Sequence, residues 1–508
     1  MEALVVSTFP PGSHQVYMPE GHLDQLITEQ SIIGELAGMF NLSSQKQADA
    51  HINEGLIEYI LKSATKVFAI SLICGVEAGA LRKAMEVFKS NGFDDGNLPV
   101  KFTDSGETPW SQLYWPSLVT HKFRQRQWMF LVPVFRRGML DVDLEPHHIL
   151  PFALAANEKP EGRSHNLWEV TVHEAHQEEP MRKFDNSLAT AAIKSCETEA
   201  AHAAADAKAR RKNENELLAD IRKLRHLHIV KMEAIITWAG RGKYFMYKWP
   251  DGGDLRDFYA SDPRPSLEAG FICAIIQQLA GLVDALHMLH YSEANGYRHG
   301  NLEPENVWRY EDGSRVGVMK LCGIGWESHR PQGDSTPNML SYSPPEATLD
   351  PNYERSQRYD VWSIGCIILE LIVWLLYGND ELEPFIRSMN EAFNGRSQYW
   401  VVGKDRTQRS AQVHPNVRAC MDYIAKDPEC NGAHATAIGD LLSIVRTRLL
   451  VVPVASITFT QSRDRAGSGE LLNSIRGMLE KGKSNSEYWY TGVSRDGLSG
   501  PTESIPPL

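Results

Sequence analysis

The sequence predicts an α+β protein: a mainly helical region to about residue 145, then a strand-rich stretch, then a mostly helical remainder. Three observations carry this reading. Leu56, Ile57, Ile60, Leu61, Ala64 and Phe68 recur at the spacing that gathers apolar side chains on one helix face. From His148-Ile-Leu-Pro-Phe onward the pattern changes to short runs of strand-forming residues, including Leu167 to Val172 and Ala191 to Lys194. Beyond the turn Pro250-Asp-Gly-Gly, the residues Phe271, Ile275, Leu279, Leu282, Val283, Leu286 and Leu289 mark a long amphipathic helix.

In chain order, Leu81, Met85 and Phe88 mark a second N-terminal helix. The aromatic stretch Trp110, Tyr114, Trp115, Trp128, Phe130 and Phe135 contains few catalytic residue types and reads as core packing. Glu197 to Arg225 is rich in Ala and charge and reads as helix, with Leu217, Leu218, Ile221 and Leu224 as its apolar stripe. Lys243 to Trp249 is strand-like. Asn306-Val-Trp-Arg-Tyr, then Asp312-Gly313, then Val316 to Leu321 has the order of a hairpin, because Asp-Gly accepts the left-handed turn that joins two strands. The last residues, from about Gly492, are rich in Gly, Ser and Pro and are expected to be disordered.

A chain of 508 residues exceeds one hydrophobic core, so two or three folding units are expected. With 42% hydrophobic and 23% charged residues, the composition is that of a soluble globular protein. A net charge of -12 argues against nucleic acid or an anionic membrane as the main partner, which leaves small molecules and proteins. The 7 cysteines are scattered without ligand spacing, and the N-terminus has no basic region before an apolar run. Reduced thiols and an intracellular, cytoplasmic location follow as expectations. Val361 to Tyr377 is strongly apolar, but it spans 17 residues and includes Glu370, so a buried helix is preferred over a membrane span. No HExxH or GxSxG occurs; His287 and His290, three apart with no acidic partner at metal spacing, read as polar or half-buried residues.

The most informative stretch is His299-Gly-Asn-Leu-Glu-Pro-Glu-Asn306. Its frame resembles the protein-kinase catalytic loop H-R-D-L-x-x-x-N, in which Asp accepts the substrate hydroxyl proton and Asn holds magnesium. The phrases His148-Ile-Leu-Pro-Phe, Val172-His-Glu-Ala-His176 and Trp249-Pro-Asp-Gly-Gly-Asp-Leu-Arg-Asp-Phe resemble filamentous-fungal protein-kinase-like proteins that carry an extra helical N-terminal region. The resemblance implies a two-lobed protein-kinase-like fold, with a small β-rich N-lobe at about 146–248 and a large helical C-lobe at about 249–482. The helical region 1–145 would precede it and a tail, 483–508, would follow.

The resemblance also implies roles for single residues. Lys194 is similar to the strand lysine that holds the α- and β-phosphates, and Ala192, Leu167 and the hinge-like pair Lys248-Trp249 would surround the nucleotide. Asn306 stands at a magnesium-ligand position. Glu346 would end an activation segment and pair with Arg465, while Asp360 would fix the backbone of the loop that begins at His299.

Departures gather at the phosphate end. Asn301 stands where the base is needed, and an amide has no useful basicity near neutral pH. Gly300 replaces the arginine that reads a phosphorylated segment, and Glu303 puts an acid where a lysine faces the γ-phosphate. Gly323, in Lys320-Leu-Cys-Gly-Ile-Gly325, falls on the metal-binding Asp of D-F-G, although magnesium takes carboxylate oxygens. Gly162 is the one glycine in the stretch expected to cradle phosphates, and Trp308 would fill or narrow the adenine floor. Glu216 is the nearest partner for Lys194, but counting back from His226 places that position on Leu217, so the ion pair stays open.

These features lead to the expectation of a pseudokinase: a regulatory or protein-interaction module in signalling, with weak or no ATP binding and an incomplete magnesium site. Two alternatives stay open. One is an unconventional serine/threonine kinase in which Glu303 or Glu305 replaces the lost carboxylates; the other is a metal-independent nucleotide-binding module that uses Lys194 and Asn306.

Overall fold

The computed structural model describes residues 3–37, 54–101, 115–136, 141–155, 167–178, 190–196, 220–292, 296–324, 341–349, 356–389, 398–402, 411–431, 436–452, 464–493 and 499–504. The chain divides into two units: Met1–Cys196 with Glu233–Trp249, and Glu197–Met232 with Pro250–Leu508. This differs from the division expected from sequence. The N-terminal region groups with the strand-rich stretch, and the segment from Glu197 groups with the helical remainder.

The first unit is built on a six-stranded sheet. Its strands are β3 (Asp141–Leu144), β4 (Phe152–Leu154), β5 (Leu167–Val172), β6 (Thr190–Cys196), β7 (Met232–Trp238) and β8 (Gly242–Lys248), in the order β3-β7-β8-β6-β5-β4. Strand β3 runs parallel to β7, whereas β4, β5, β6 and β8 pair antiparallel in turn. The sheet therefore begins before residue 146. In Asp-Val-Asp-Leu the apolar side chains alternate inward, a strand pattern too short to register by periodicity alone.

One sheet face carries Val170, Ala191, Ile193, Tyr244 and Met246, and Phe9 completes its core. A hairpin of β1 (Val5–Ser7) and β2 (Gln15–Tyr17) leads into and out of Phe9. That ring is fully buried and lies edge-on to Phe152, Trp168 and Tyr244, each at 5.7 Å between centroids. The Thr8 N–H donates to the Phe152 carbonyl at 3.1 Å, so the N-terminal segment is fastened to the sheet by backbone as well as by burial. Fully burying one such aromatic contributes about 1.5–3 kcal/mol.

The N-terminal helices are α1 (His22–Leu26), α2 (Glu29–Ala37), α3 (Glu54–Ser63), α4 (Thr65–Ile73), α5 (Ala78–Ser90) and α6 (Ser117–Arg126). The run Leu56 to Phe68, expected on one helix, divides at Ala64, where the chain takes φ -133° and ψ 30°. The carboxylate of Asp95 accepts the Lys66 and Val67 N–H groups at 2.9 and 2.8 Å, which starts a new helix from across the chain. Of the expected aromatic core, Phe130 and Phe135 are buried and Trp115 lies edge-on to Phe88; Trp110 and Tyr114 fall outside the described residues.

The second unit has α7 (Leu255–Ser261), α8 (Ala269–His290), the hairpin β9 (Val307–Tyr310) and β10 (Val318–Leu321), then α9 (Glu346–Leu349), α10 (Arg358–Tyr377) and α11 (Asn379–Ser388). A short pair β11 (Trp400–Val402) and β12 (Ala411–Val413) precedes α12 (Pro415–Ile424), α13 (Ala437–Ile444) and α14 (Ser468–Ser484). Helix α7 opens on a capping box in which Asp254 and Asp257 exchange backbone N–H bonds. Both α8 and α10 are long and apolar enough to cross a membrane, yet α10 is buried within the unit from Tyr359 to Leu376, Glu370 included. Of the helix expected from Glu197 to Arg225, Asp220–Lys223 is helical and Ile221 is buried; Leu217 and Leu218 lie outside the described residues.

Tyr488, Trp489 and Thr491 precede the stretch expected to be disordered from about Gly492, and of that stretch the structure describes Gly492, Val493 and residues 499–504. Tyr488 donates to Asp440 at 2.7 Å, Trp489 is buried, and Thr491 supplies its N–H to the buried carboxylate of Glu429 at 3.3 Å. Further on, Ser499 accepts from Tyr423 at 2.5 Å and Thr502 donates to Glu381. A composition of Gly, Ser and Pro says nothing of carboxylates elsewhere that need donors.

Candidate functional site

In the second unit the loop His299–Asn306 is held from below by Asp360, in the first turn of α10. Its Oδ2 accepts the His299 N–H at 2.7 Å and His290 Nε2 at 2.8 Å, and its Oδ1 accepts the Gly300 N–H at 2.8 Å. Burial alone would raise this carboxyl, but the bond and charge of His290, with His299 and the Gly300 amide, hold it below the usual range. His290, expected to be polar or half-buried, is 1% exposed and bonded to an acid 70 positions on, outside any sequence-local metal spacing.

The imidazole of His290 also meets Ser468 Oγ at 2.9 Å through Nδ1, which gives a Ser–His–Asp line. All three residues are buried and Asp360 is already committed to the loop backbone. The line therefore anchors the loop.

His299 ties the loop to the end of β10. Its Nδ1 accepts the Asn301 N–H at 3.3 Å, so Nε2 carries the proton and donates to the Cys322 carbonyl at 3.0 Å. The Cys322 N–H in turn donates to the Asn306 carbonyl at 2.9 Å. These bonds bring Asn301, Glu303, Asn306 and Gly323 into one cluster. Both glycines in it sit in the left-handed region, Gly300 at φ 76° and Gly323 at φ 83°.

Within the cluster the side chains bond to one another. Asn306 Nδ2 donates to the Asn301 carbonyl and to Glu303 Oε1, both at 2.9 Å. A magnesium ion would find no carboxylate at Asn306 or Gly323, the two positions that resemble its ligands, and the pair does not fit it. Trp308 is fully buried and its indole N–H donates to the Glu305 carbonyl at 3.2 Å. Arg465, 2% exposed, forms a two-pronged pair with Glu346 at 2.6 and 3.2 Å and also donates to the Arg358 and Val451 carbonyls.

In the first unit, register places Leu167 opposite Lys194 and Lys194 opposite Phe245, with Glu169, Ala192 and Tyr247 in the next matching row. Directly paired residues point to one side of a sheet, so Leu167, Ala192 and Lys194 share a face. Lys248 pairs with Ala191 and is on the other face. Trp249 follows the strand and donates its N–H to the Thr190 carbonyl at 3.4 Å. Gly162 and Glu216 lie outside the described residues.

Sequence reasoning missed Arg256 and Tyr342, which surround Glu370. The available signal was Glu370 itself: a carboxylate inside an apolar helix needs a cation or strong donors from elsewhere.

Comparison with known proteins bears on the same region. Residues 183–428 match the model of the family "protein kinase domain", and this part of the chain is protein-kinase-like. The match starts after the stretch that holds Gly162 and ends before Arg465. A 226-residue stretch, 41% of this chain and 22% of its relative, is 27% identical to serine/threonine-protein kinase tousled-like 1 of Caenorhabditis elegans. CBL-interacting protein kinase 20 of Oryza sativa subsp. japonica is 27% identical over 41% of this chain and 45% of its own length. Serine/threonine-protein kinase dkf-1 of Caenorhabditis elegans is 29% identical over 28% of this chain and 21% of its own length. The chain thus spans less than half of each of these relatives. The protein kinase domain family generally binds ATP and magnesium.

Proposed function

We propose that this protein is a pseudokinase, a kinase-fold module that regulates or binds another protein and transfers no phosphate. One observation supports the reading above the rest. At the positions that resemble the base and the metal ligand stand Asn301 and Gly323, and the acid beside them, Glu303, is bonded to Asn306. Removing a general base costs about 10²- to 10⁴-fold in rate, so even one such loss is severe. The acidic net charge and the seat of Asp360 and Arg465 are compatible with a folded protein-binding role inside the cell.

The test is incubation of purified protein with labelled ATP, magnesium or manganese, and generic protein acceptors. Background incorporation is expected; metal-dependent incorporation that Lys194→Ala abolishes would overturn the reading. Thermal-shift titration with ATP, with and without magnesium, separates the remaining possibilities: a shift without metal would move the proposal to a nucleotide-binding module that uses Lys194.

A further inference from the structure

Arg256, in the first turn of α7, gathers three other stretches of chain around one guanidinium. It lies 3.0 Å from Glu370 Oε2, donates to Glu370 Oε1 at 3.3 Å and to the Tyr342 hydroxyl, and meets Glu305 Oε1 at 3.4 Å. Glu370, in the interior of α10, also accepts the hydroxyls of Tyr342 at 2.7 Å and Tyr399 at 2.6 Å. Burial pushes the Glu370 carboxyl up, and Arg256, ahead of the two tyrosines, pulls it back. Replacing a buried ion pair by apolar groups is often neutral or stabilising, so such a pair is weak evidence for stability and asks for another role.

What the pair touches suggests that role. Glu305 belongs to the loop that carries Asn301 and Asn306, and Tyr342 belongs to the stretch that ends at Glu346. The rest of that stretch is fastened as well: Ser363 Oγ donates to the Tyr342 carbonyl at 2.8 Å, Trp400 Nε1 to the Ser343 carbonyl at 3.0 Å, and Ser343 Oγ meets the Tyr359 hydroxyl at 2.8 Å. Gly300 brings no cation to this part of the molecule; Arg256 does.

We infer that Arg256 is a built-in clamp that holds residues 341–346 against the loop 301–306 through Tyr342 and Glu305, so that the position of this segment needs no phosphate. The inference goes beyond the pseudokinase reading and stands whether or not the chain transfers phosphate.

Hydrogen exchange on the full chain, before and after phosphatase treatment, tests it. Protection of residues 341–349 is expected to be the same in both samples. The double variant Arg256→Met/Glu370→Gln removes the clamp without leaving a buried charge, and should raise exchange across 341–349 by about tenfold or more while residues 367–376 change by about twofold or less. Should the double variant fail to fold, Tyr342→Phe deletes one hydroxyl and should raise exchange in the same stretch by about threefold or more. Protection lost on phosphatase treatment, unchanged exchange in the variants, or an equal rise through the whole unit would overturn the clamp.

Discussion

The two sides of the loop His299–Asn306 differ in what their side chains bond to. On the anchoring side, His299 and Gly300 give their N–H groups to Asp360, and Asp360 takes a third bond from His290. On the acting side, Asn306 bonds the Asn301 carbonyl and Glu303, so the polar groups answer one another inside the loop. A buried group that holds backbone cannot be lost without leaving donors unpaired. A group whose work is to move a proton or hold an ion can be exchanged for one that merely completes a bond. The scaffold and the chemistry of one loop are thus under different physical constraints.

The most severe way to break the anchoring side is Asp360→Ala. It strands the His299 and Gly300 N–H groups and the buried His290, and should lower stability by about 3–5 kcal/mol, read from the midpoint of denaturant unfolding. A buried group of the first unit, His176, provides a separate reference for how strongly burial and bonding act. Burial holds its imidazole down at about 4 against a usual 6.5. Its Nε2 accepts the Glu20 N–H at 3.2 Å, leaving Nδ1 to donate to the Pro133 carbonyl, so it is neutral when folded. A depressed folded value means the contribution is whole above 6.5 and is lost as pH falls toward 4, by up to about 3 kcal/mol. An acid titration of stability should show that fall, and His176→Gln should flatten it.

Between the two sides sits Gly300. Because its φ of 76° disfavours any residue with a Cβ, Gly300→Ala should cost about 1–2 kcal/mol in the same unfolding measurement. The smallest effect is expected on the acting side. Asn301→Asp should change stability by about 1 kcal/mol or less and leave labelled-ATP transfer at background, since it restores a base and no metal ligand. Transfer appearing on that single change would show the two sides to be less independent than their bonding suggests.

Much of this architecture can be read along the chain, because helix and strand periods are local. The apolar spacing of Phe271 to Leu289 and the order of Asn306, Asp312-Gly313 and Val316 match α8 and the β9-β10 hairpin. The frame around His299, and the absence of an acid at 301 and 323, are properties of sequence alone. Breaks and partners set by distant residues are not. The helix run divides at Ala64 because Asp95 reaches back to cap it, and Phe9 belongs to the sheet because Phe152 offers a carbonyl to the neighbouring Thr8 and a ring to Phe9.

The sequence by itself determined the kind of elements present and the chemical types standing at the loop, since these depend on neighbours in the chain. Only the tertiary structure decided that His290 faces Asp360 and that Arg256 meets Glu370, Glu305 and Tyr342. The physical reason is that a buried charge is satisfied by whatever the fold brings within about 3 Å, however far off it lies in sequence.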